Sequence, residues 1–202
     1  LGSSSGAVPL PNKNNISVAF GGAPAPSWSD FSELLAYYKF DASEGAIPNK
    51  AEDVGSSDSL DDVDIEITGA VYGEAGIIDD ALSFEGDPDF GALGNGDAKG
   101  EWSFFHATGD WTVNFWINLT AYDNEARFFD NLSGTETSGV TLRLGGSTSA
   151  LGIAVCNASG QFMANGDFSL DEALTTDDWH MITFTCDYSD ASNCYECFVD
   201  GQ

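Results

Sequence analysis

Residues 111–118 (WTVNFWIN) indicate the fold class of this chain. Trp111, Val113, Phe115 and Ile117 alternate with polar residues and one further tryptophan. Successive side chains of a β-strand point to opposite faces, whereas a helix repeats every 3.6 residues. This octet therefore predicts a strand with one face in the core.

Similar short segments lie on both sides of this octet. Residues 63–67 alternate apolar and acidic side chains, and residues 180–187 are a further segment that predicts a strand. Gly, Asn, Asp and Ser clusters separate the segments, and none has a sustained helical period. We predict further strands at residues 34–40, 81–84, 127–130, 140–144, 152–156 and 195–200. Many short strands without helices predict an all-β, antiparallel two-sheet sandwich.

Residues 1–33 differ from the rest of the chain. They contain four of the six prolines, Pro9, Pro11, Pro24 and Pro26, with many Gly and Ser. This composition favours an extended N-terminal arm, which docks on its own domain or on a neighbour, or a flexible linker. The sandwich then spans residues 34–202.

The charge balance narrows the function classes. The 202 residues carry 33 acidic and 6 basic side chains, a formal net charge of −27. Such a chain repels phosphate backbones and anionic lipids, so we expect no nucleic-acid partner. It has no apolar run of the length that a membrane span needs, so we expect no membrane insertion. The acidic surface suits an extracellular or saline setting and the binding of hard cations.

Four cysteines and four sequons also favour an extracellular setting. Cys156, Cys186, Cys194 and Cys197 are disulfide candidates, and their order allows three full pairings. A Cys-x-x-Cys within a strand is weak evidence for zinc or redox chemistry, so disulfides in an oxidising compartment are the preferred interpretation. The Asn-x-Ser/Thr sequons are candidates for glycosylation of a secreted protein; they lie at Asn15, Asn118, Asn131 and Asn157.

Five segments resemble one family of β-sandwiches. They are residues 35–41 (LAYYKFD), 76–86 (GIIDDALSFEG), 110–117 (DWTVNFWI), 179–185 (WHMITFT) and 195–201 (YECFVDG). Their order and spacing resemble those of the concanavalin A-like, laminin-G-like jelly rolls. The resemblance implies a jelly-roll fold and says little about function, because one fold hosts many functions.

The resemblance also implies two further features. The family continues past its Val-Asp-Gly segment with about three more strands, so we expect a longer polypeptide or strands that another chain supplies. The family often binds a structural Ca²⁺ near the end of its first strand. The matching residues are Asp41, Asn49 and Asp53, with solvated loop acids as the alternative.

Catalytic chemistry is not expected. Glucanases of the wider superfamily carry Glu-x-Asp-x-x-Glu on one strand, and the nearest match is residues 85–90 (EGDPDF), which lacks the last Glu. Pro88 also interrupts a central strand. His180 beside Trp179 is interpreted as a hydrogen-bonded structural histidine. We therefore predict that the chain is not an enzyme.

An aromatic stretch is the candidate glycan contact. Trp102, Phe104, Phe105 and His106 fall within five residues. Aromatic faces stack on sugar rings, and packing at the rim of the sandwich is the alternative.

Together these features predict a non-catalytic extracellular or particle-surface module. Its role is adhesion to glycan or a surface protein, and assembly with copies of itself or other subunits in a filament, appendage or virion. A glycan-binding module of a carbohydrate-active enzyme and a purely structural polymer subunit are the alternatives.

Overall fold

The computed structural model describes residues 33–56, 59–60, 63–86, 89–93, 102, 105, 109–123, 126–130, 139–156, 162–170, 173–189 and 194–202. The predicted N-terminal arm lies almost wholly outside these residues. The described part contains eleven strands, one 3₁₀ turn at Glu52–Val54 and no α-helix. The strands are β1 (Ile65–Thr68), β2 (Val71–Ala75), β3 (Asp80–Ser83), β4 (Phe90–Leu93), β5 (Trp111–Asn118), β6 (Arg127–Asp130), β7 (Gly139–Leu144), β8 (Ala150–Cys156), β9 (Phe162–Ser169), β10 (Trp179–Cys186) and β11 (Tyr195–Val199).

Two antiparallel sheets form the two layers of the sandwich. One has the order β11-β10-β5 and the other the order β6-β7-β8-β9, while β1-β4 and β2-β3 form two-stranded sheets. The apolar face that the sequence predicts for β5 continues onto its neighbour β10 in the same sheet. Val113 pairs with Phe184, and Phe115 pairs with Ile182. The all-β, antiparallel sandwich is confirmed.

One continuous core joins the two layers. Val113, Phe115 and Phe184 of the first sheet belong to the same buried cluster as Leu142 and Leu151 of the second. Each fully buried aliphatic or aromatic side chain contributes about 1.5–3 kcal/mol relative to leaving it in water. Residues from both layers thus hold the sheets face to face.

Residues 34–40 depart from their predicted strand. They are mostly buried, but Tyr38 makes only an isolated bridge, with Asn49. Backbone hydrogen bonds run instead to loop residues: Lys50 N–H donates to the Tyr37 carbonyl oxygen at 2.7 Å, and Leu60 N–H donates to that of Leu35 at 2.9 Å. The predicted strand is therefore not formed, because among the described residues no neighbouring strand pairs with this buried segment.

The structure also has strands that the sequence pattern did not predict. They are β2, β4 and β9. The middle of β9 reads Asn165-Gly166-Asp167, which is turn composition, yet it pairs with β8 along its length. Pairing with a central strand overrode local propensity there.

Candidate functional site

The outer face of the β6–β9 sheet, away from the core, carries a set of polar side chains. Strand register places Asp130, Thr141, Ala154 and Asn165 in one row across the four strands. A second row contains Arg143, Gly152 and Asp167. We call Asp130, Thr141, Arg143, Asn165 and Asp167 the polar face, with Gly152 and Ala154 as its floor.

Arg143 lies across the floor of this face. Its guanidinium Nη2 is 3.1 Å from Asp167 Oδ1, and the Arg143 side chain is only 15% exposed. A Cβ atom placed on Gly152 would come within 2.7 Å of the Arg143 Cζ atom. A glycine in the middle of β8 is therefore what lets the guanidinium lie flat and reach its carboxylate.

Both carboxylates of the polar face are held in place. Asp167 Oδ2 accepts a hydrogen bond from the Gly146 N–H at 2.8 Å. Asp130 Oδ1 accepts one from the Thr141 hydroxyl at 2.7 Å, and Asp130 also pairs with Arg127. Ordered carboxylates, a guanidinium and an amide on a flat floor offer both donors and acceptors to a polyhydroxylated or peptide ligand.

The two carboxylates of the polar face are too far apart for glycoside hydrolysis. Asp130 on β6 and Asp167 on β9 are separated by three strand spacings, or about 14 Å. Retaining and inverting glycosidases need carboxyl groups about 5 to 9.5 Å apart. The other acidic pattern considered from the sequence lies in the β3–β4 connection, where Asp89 Oδ2 accepts the Glu85 N–H at 2.8 Å.

The three predicted calcium ligands each have other partners. The Asn49 side-chain oxygen accepts the N–H groups of Tyr37 and Ala51, at 2.9 and 3.0 Å. Asp41 pairs with Lys39 at 2.7 Å and Asp53 with Lys50 at 3.0 Å. Within the described residues there is no cluster of three or more His, Cys, Asp or Glu side chains placed to hold a metal. In this arrangement two N–H donors occupy the Asn49 side-chain oxygen, and calcium binding by these three residues stays a prediction.

The predicted aromatic glycan contact needs correction. Trp102 and Phe105 are 3% and 1% exposed, so they cannot stack on a sugar. Phe105 packs edge-on against Trp111 at 5.1 Å between ring centroids and lies 5.0 Å from Phe129. The interpretation as packing is the correct one for these two residues, because a large apolar ring gains more from the core than from the rim. Phe104 and His106 lie outside the described residues.

The disulfide candidates lie in both layers. Cys156 ends β8, Cys186 ends β10, and Cys194 and Cys197 lie just before and within β11. All four are free thiols in this structure. Of the sequons, Asn118 is exposed at the end of β5, whereas Asn15, Asn131 and Asn157 lie outside the described residues.

His180 makes hydrogen bonds through both ring nitrogens. Nδ1 donates to Asp200 Oδ2 at 2.8 Å, and Nε2 is 2.9 Å from the Thr175 hydroxyl. Asp200 Oδ1 also accepts the Met181 N–H at 2.8 Å. Burial alone would raise the pKa of Asp200, but the bonds from His180 and Met181 outweigh it and lower that pKa. These bonds tie the turn after β11 to the start of β10.

An open groove lies where β9 approaches β11. Its volume is about 270 Å³, and its lining consists of Ile153, Ala164, Asn165, Gly166, Asp167, Phe168, Cys194 and Tyr195. The groove reaches the core, because Ile153 is buried and the ring of Phe168 is 6.3 Å from that of Phe184. We call it the β9–β11 groove.

Comparison with known proteins identifies the family. Residues 94–202, more than half of the chain, match the laminin G-like family model of the concanavalin A-like lectin/glucanases superfamily. The chain belongs to this superfamily. No curated protein and no solved structure matches it. The match begins after β4 and includes all strands of the polar face.

The polar face is the site that sequence reasoning missed. The alternation of Thr141 and Arg143 with apolar residues in β7 was a usable signal, because it marks a strand face turned away from the core. The contribution of β9 had no such signal, since its Asn-Gly-Asp centre predicts a turn.

Proposed function

We propose that this chain is a non-catalytic, extracellular or particle-surface module that binds glycan or protein through the polar face. In this role it serves adhesion, and assembly within a filament, appendage or virion. The family is compatible with carbohydrate or protein binding. The observation that carries the proposal is the Arg143–Asp167 ion pair. The Arg143 side chain lies over Gly152, and the other floor residue, Ala154, is also small.

The polar face favours ligands without net negative charge. Arg143 is its partly buried cation, and Asp167 already neutralises it. The chain as a whole carries −27, which repels sulfated or sialylated glycans over the range of the Debye length. Neutral sugars, whose hydroxyls pair with carboxylate and guanidinium groups, therefore suit this face best.

A glycan array probed with matched glycine variants tests the proposal. Gly152→Ala places a methyl group 2.7 Å from the Cζ atom and 2.9 Å from the Cγ atom of Arg143, so this side chain must shift away from its present position. We expect binding of the preferred neutral glycan to fall about tenfold or more, since a charge-assisted hydrogen bond contributes about 1.5–3 kcal/mol. Gly109→Ala is the matched control, because nothing lies within 4 Å of its added Cβ.

Calcium is tested on the same array. Binding is measured with calcium and with a chelator, and equal signals show a calcium-independent module. If the wild-type chain binds no glycan in either condition, the glycan-binding proposal is overturned and the structural role remains.

Two other functions are compatible with the family. As a binding module of a carbohydrate-active enzyme, the chain would bind the polysaccharide that the enzyme cleaves. As a purely structural subunit, it would form polymers with no glycan affinity. Sedimentation analysis separates a self-associating structural subunit from a monomeric lectin, and the glycan array separates it from the proposed adhesion module.

A further inference from the structure

A sequon and two tryptophans meet on the outer face of the β11-β10-β5 sheet. Val113 and Phe115 of β5 are 0% and 2% exposed, so the even-numbered residues of this strand point away from the core. These outward residues include Trp116 and Asn118. Trp179 of β10 lies directly opposite Asn118 in the strand register, and residues paired in this way share a face. Trp116, Asn118 and Trp179 therefore lie on one outer surface.

A side-chain hydrogen bond supports this assignment of faces. The Asn114 carboxamide nitrogen donates to the Thr183 hydroxyl oxygen at 2.6 Å. Asn114 is two residues before Trp116 on β5, and Thr183 is four residues after Trp179 on β10, so the members of each pair share a face. Neither tryptophan belongs to the buried core cluster. Both indole rings are thus partly accessible from outside the sandwich.

Asn118 lies at the corner between the two indole rings. Directly opposite residues on antiparallel strands have Cβ atoms about 4.5–5.5 Å apart, and residues two apart on one strand are about 6.6 Å apart. A substituent on Asn118 can therefore reach Trp179 on one side and Trp116 on the other. Asn118 and Thr120, the two residues that define the sequon, are both exposed.

The surface around Asn118 is uncharged along both strands. Its residues on β5 and β10 are Thr112, Asn114, Trp116, Asn118, Trp179, Met181, Thr183 and Thr185. The chain as a whole carries 33 acidic side chains, so this surface differs from the general character of the molecule. A neutral sugar can pack here without removing water from a charged group.

We propose that Asn118 carries an N-linked glycan whose first sugar packs against the indole rings of Trp116 and Trp179. The proposal rests on the extracellular setting given under the proposed function. One side of a pyranose ring presents C–H groups and is apolar, and the negative face of an aromatic ring attracts such groups. The glycan thus covers two large apolar rings that water otherwise reaches.

The covalent step is a glycosyl transfer to nitrogen. The donor is a lipid-linked oligosaccharyl diphosphate, and a membrane-bound glycosyltransferase that recognises the sequon catalyses the transfer. The Asn118 side-chain nitrogen attacks the anomeric carbon of the first sugar, and a carbon–nitrogen bond forms. The bond from that carbon to the diphosphate oxygen breaks, and the lipid diphosphate leaves with its electron pair. The nitrogen loses one proton, and nothing is oxidised or reduced.

The proposed glycan and the polar face lie on opposite sides of the sandwich. The polar face is the outer face of the β6–β9 sheet, whereas Asn118 lies on the outer face of the other layer. A glycan on Asn118 therefore leaves the polar face open. Occupancy of Asn118 and binding on the glycan array are separate measurements, so either proposal can fail without the other.

Glycopeptide mapping of the secreted full chain tests the occupancy of Asn118. The chain is secreted from a eukaryotic cell line and digested, and its N-glycans are released in water labelled with heavy oxygen. Release converts each glycosylated asparagine into a labelled aspartate. We expect the label at position 118, its loss in Thr120→Ala and its retention in Thr120→Ser, because serine also completes a sequon. A secreted wild-type chain without label at this position would overturn the proposal.

Thermal unfolding tests the contact with the indole rings. A chain with alanine in place of Ser17, Ser133 and Ser159 keeps only the Asn118 sequon. An endoglycosidase trims its glycan to the first sugar, and the same chain with Thr120→Ala serves as the unglycosylated form. We expect the single sugar to raise Tm by about 2–4 °C, the effect of one aromatic contact in a chain of this size.

Tryptophan variants supply the matched test of this contact. Trp116→Leu and Trp179→Leu each remove one ring, and each should reduce the rise in Tm that the sugar causes. Phe90→Leu is the control, because Phe90 is an exposed ring on β4, outside this sheet. Each variant is compared with its own unglycosylated form, so a general loss of stability cancels.

Nuclear Overhauser contacts in the wild-type chain decide the question if a tryptophan variant does not fold. We expect contacts between C–H protons of the first sugar and indole protons. Absence of these contacts, no rise in Tm on glycosylation, or an equal rise in all three variants and the wild-type chain would overturn the packing of the sugar on Trp116 and Trp179.

Discussion

At the scale of single residues, Asn49 has the most demanding role. Its side-chain nitrogen donates to the carbonyl oxygens of Leu35 and Leu60, both at 3.1 Å, while its oxygen accepts two backbone N–H groups. One carboxamide thus replaces the strand pairing that residues 34–40 lack among the described residues. Only a group with both donors and acceptors can do this.

Replacing Asn49 with aspartate separates a structural role from a calcium-binding role. Asn49→Asp removes the donor and leaves two carbonyl oxygens facing a carboxylate, so we expect the free energy of unfolding to fall by about 1–3 kcal/mol. Urea denaturation in the presence of a chelator measures the change. If Asn49 were a calcium ligand, the added carboxylate would instead stabilise the chain when calcium is present.

Asp53→Asn is the matched control for this substitution. Asp53 is 66% exposed and pairs with Lys50. Because exposed ion pairs contribute little, the free energy of unfolding should change by less than about 0.5 kcal/mol.

At the scale of elements, an aromatic cluster joins the chain before β5 to β6. Phe105 lies between Trp102, Trp111 and Phe129, with ring centroids 5.0 to 5.9 Å away. Phe105→Ala should lower the free energy of unfolding by about 3–5 kcal/mol, because it leaves a cavity in a packed core. Guanidinium denaturation measures this loss.

Phe90→Ala is the control for the aromatic cluster. Phe90 is 52% exposed at the start of β4, so its truncation should change stability by less than about 0.5 kcal/mol. Equal effects of the two substitutions would contradict the assignment of Phe105 to the core.

The turn after β11 is the second element with a measurable signature. Asp200 and Gly201 both have positive φ, 51° and 81°, as a tight hairpin turn requires. The pKa of Asp200 lies below its ordinary value of 3.8 in the folded chain. Its carboxylate therefore stabilises the fold above the pKa of the unfolded chain, and this contribution is lost as the pH falls through the lower folded-state pKa.

Asp200→Asn tests this pH dependence, since asparagine also tolerates positive φ. We expect the variant to be less stable than the wild-type chain at pH 6, by less than about 1 kcal/mol for a carboxylate so exposed to water. This difference in stability should shrink below pH 3.8. Thermal unfolding of both chains at a series of pH values measures it. A difference that stays constant down to pH 2 would show that the His180–Asp200 pair does not depend on the charge of Asp200.

At the scale of the whole molecule, charge repulsion opposes folding. A net charge of −27 on 202 residues brings like charges together when the chain becomes compact. The described part contains no helix long and apolar enough to span a membrane. The charge repulsion can be tested directly, because it depends on the salt concentration.

Added salt should raise the melting temperature Tm. The Debye length falls from about 10 Å at 0.1 M to about 3 Å at 1 M, so salt screens the repulsion. Each kcal/mol of repulsion removed raises Tm by about 2–4 °C for a chain of this size. Differential scanning calorimetry in sodium and potassium chloride measures the effect, which should be equal for both salts. A Tm that is constant or falls would show that repulsion does not limit stability.

The sequence by itself determined those features that depend on near neighbours along the chain. Period-two alternation identified β5 with its core face, because the face on which a strand residue lies is a local property.

Only the tertiary structure decided which distant residues meet. The polar face needs the register of four strands, and a shift of one residue would turn Arg143 and Thr141 into the core. Burial of Trp102 and Phe105 and the hydrogen bonds of Asn49 likewise depend on partners far along the chain. Alternation along one strand shows which way a side chain points, but the residue it faces is set by packing between strands.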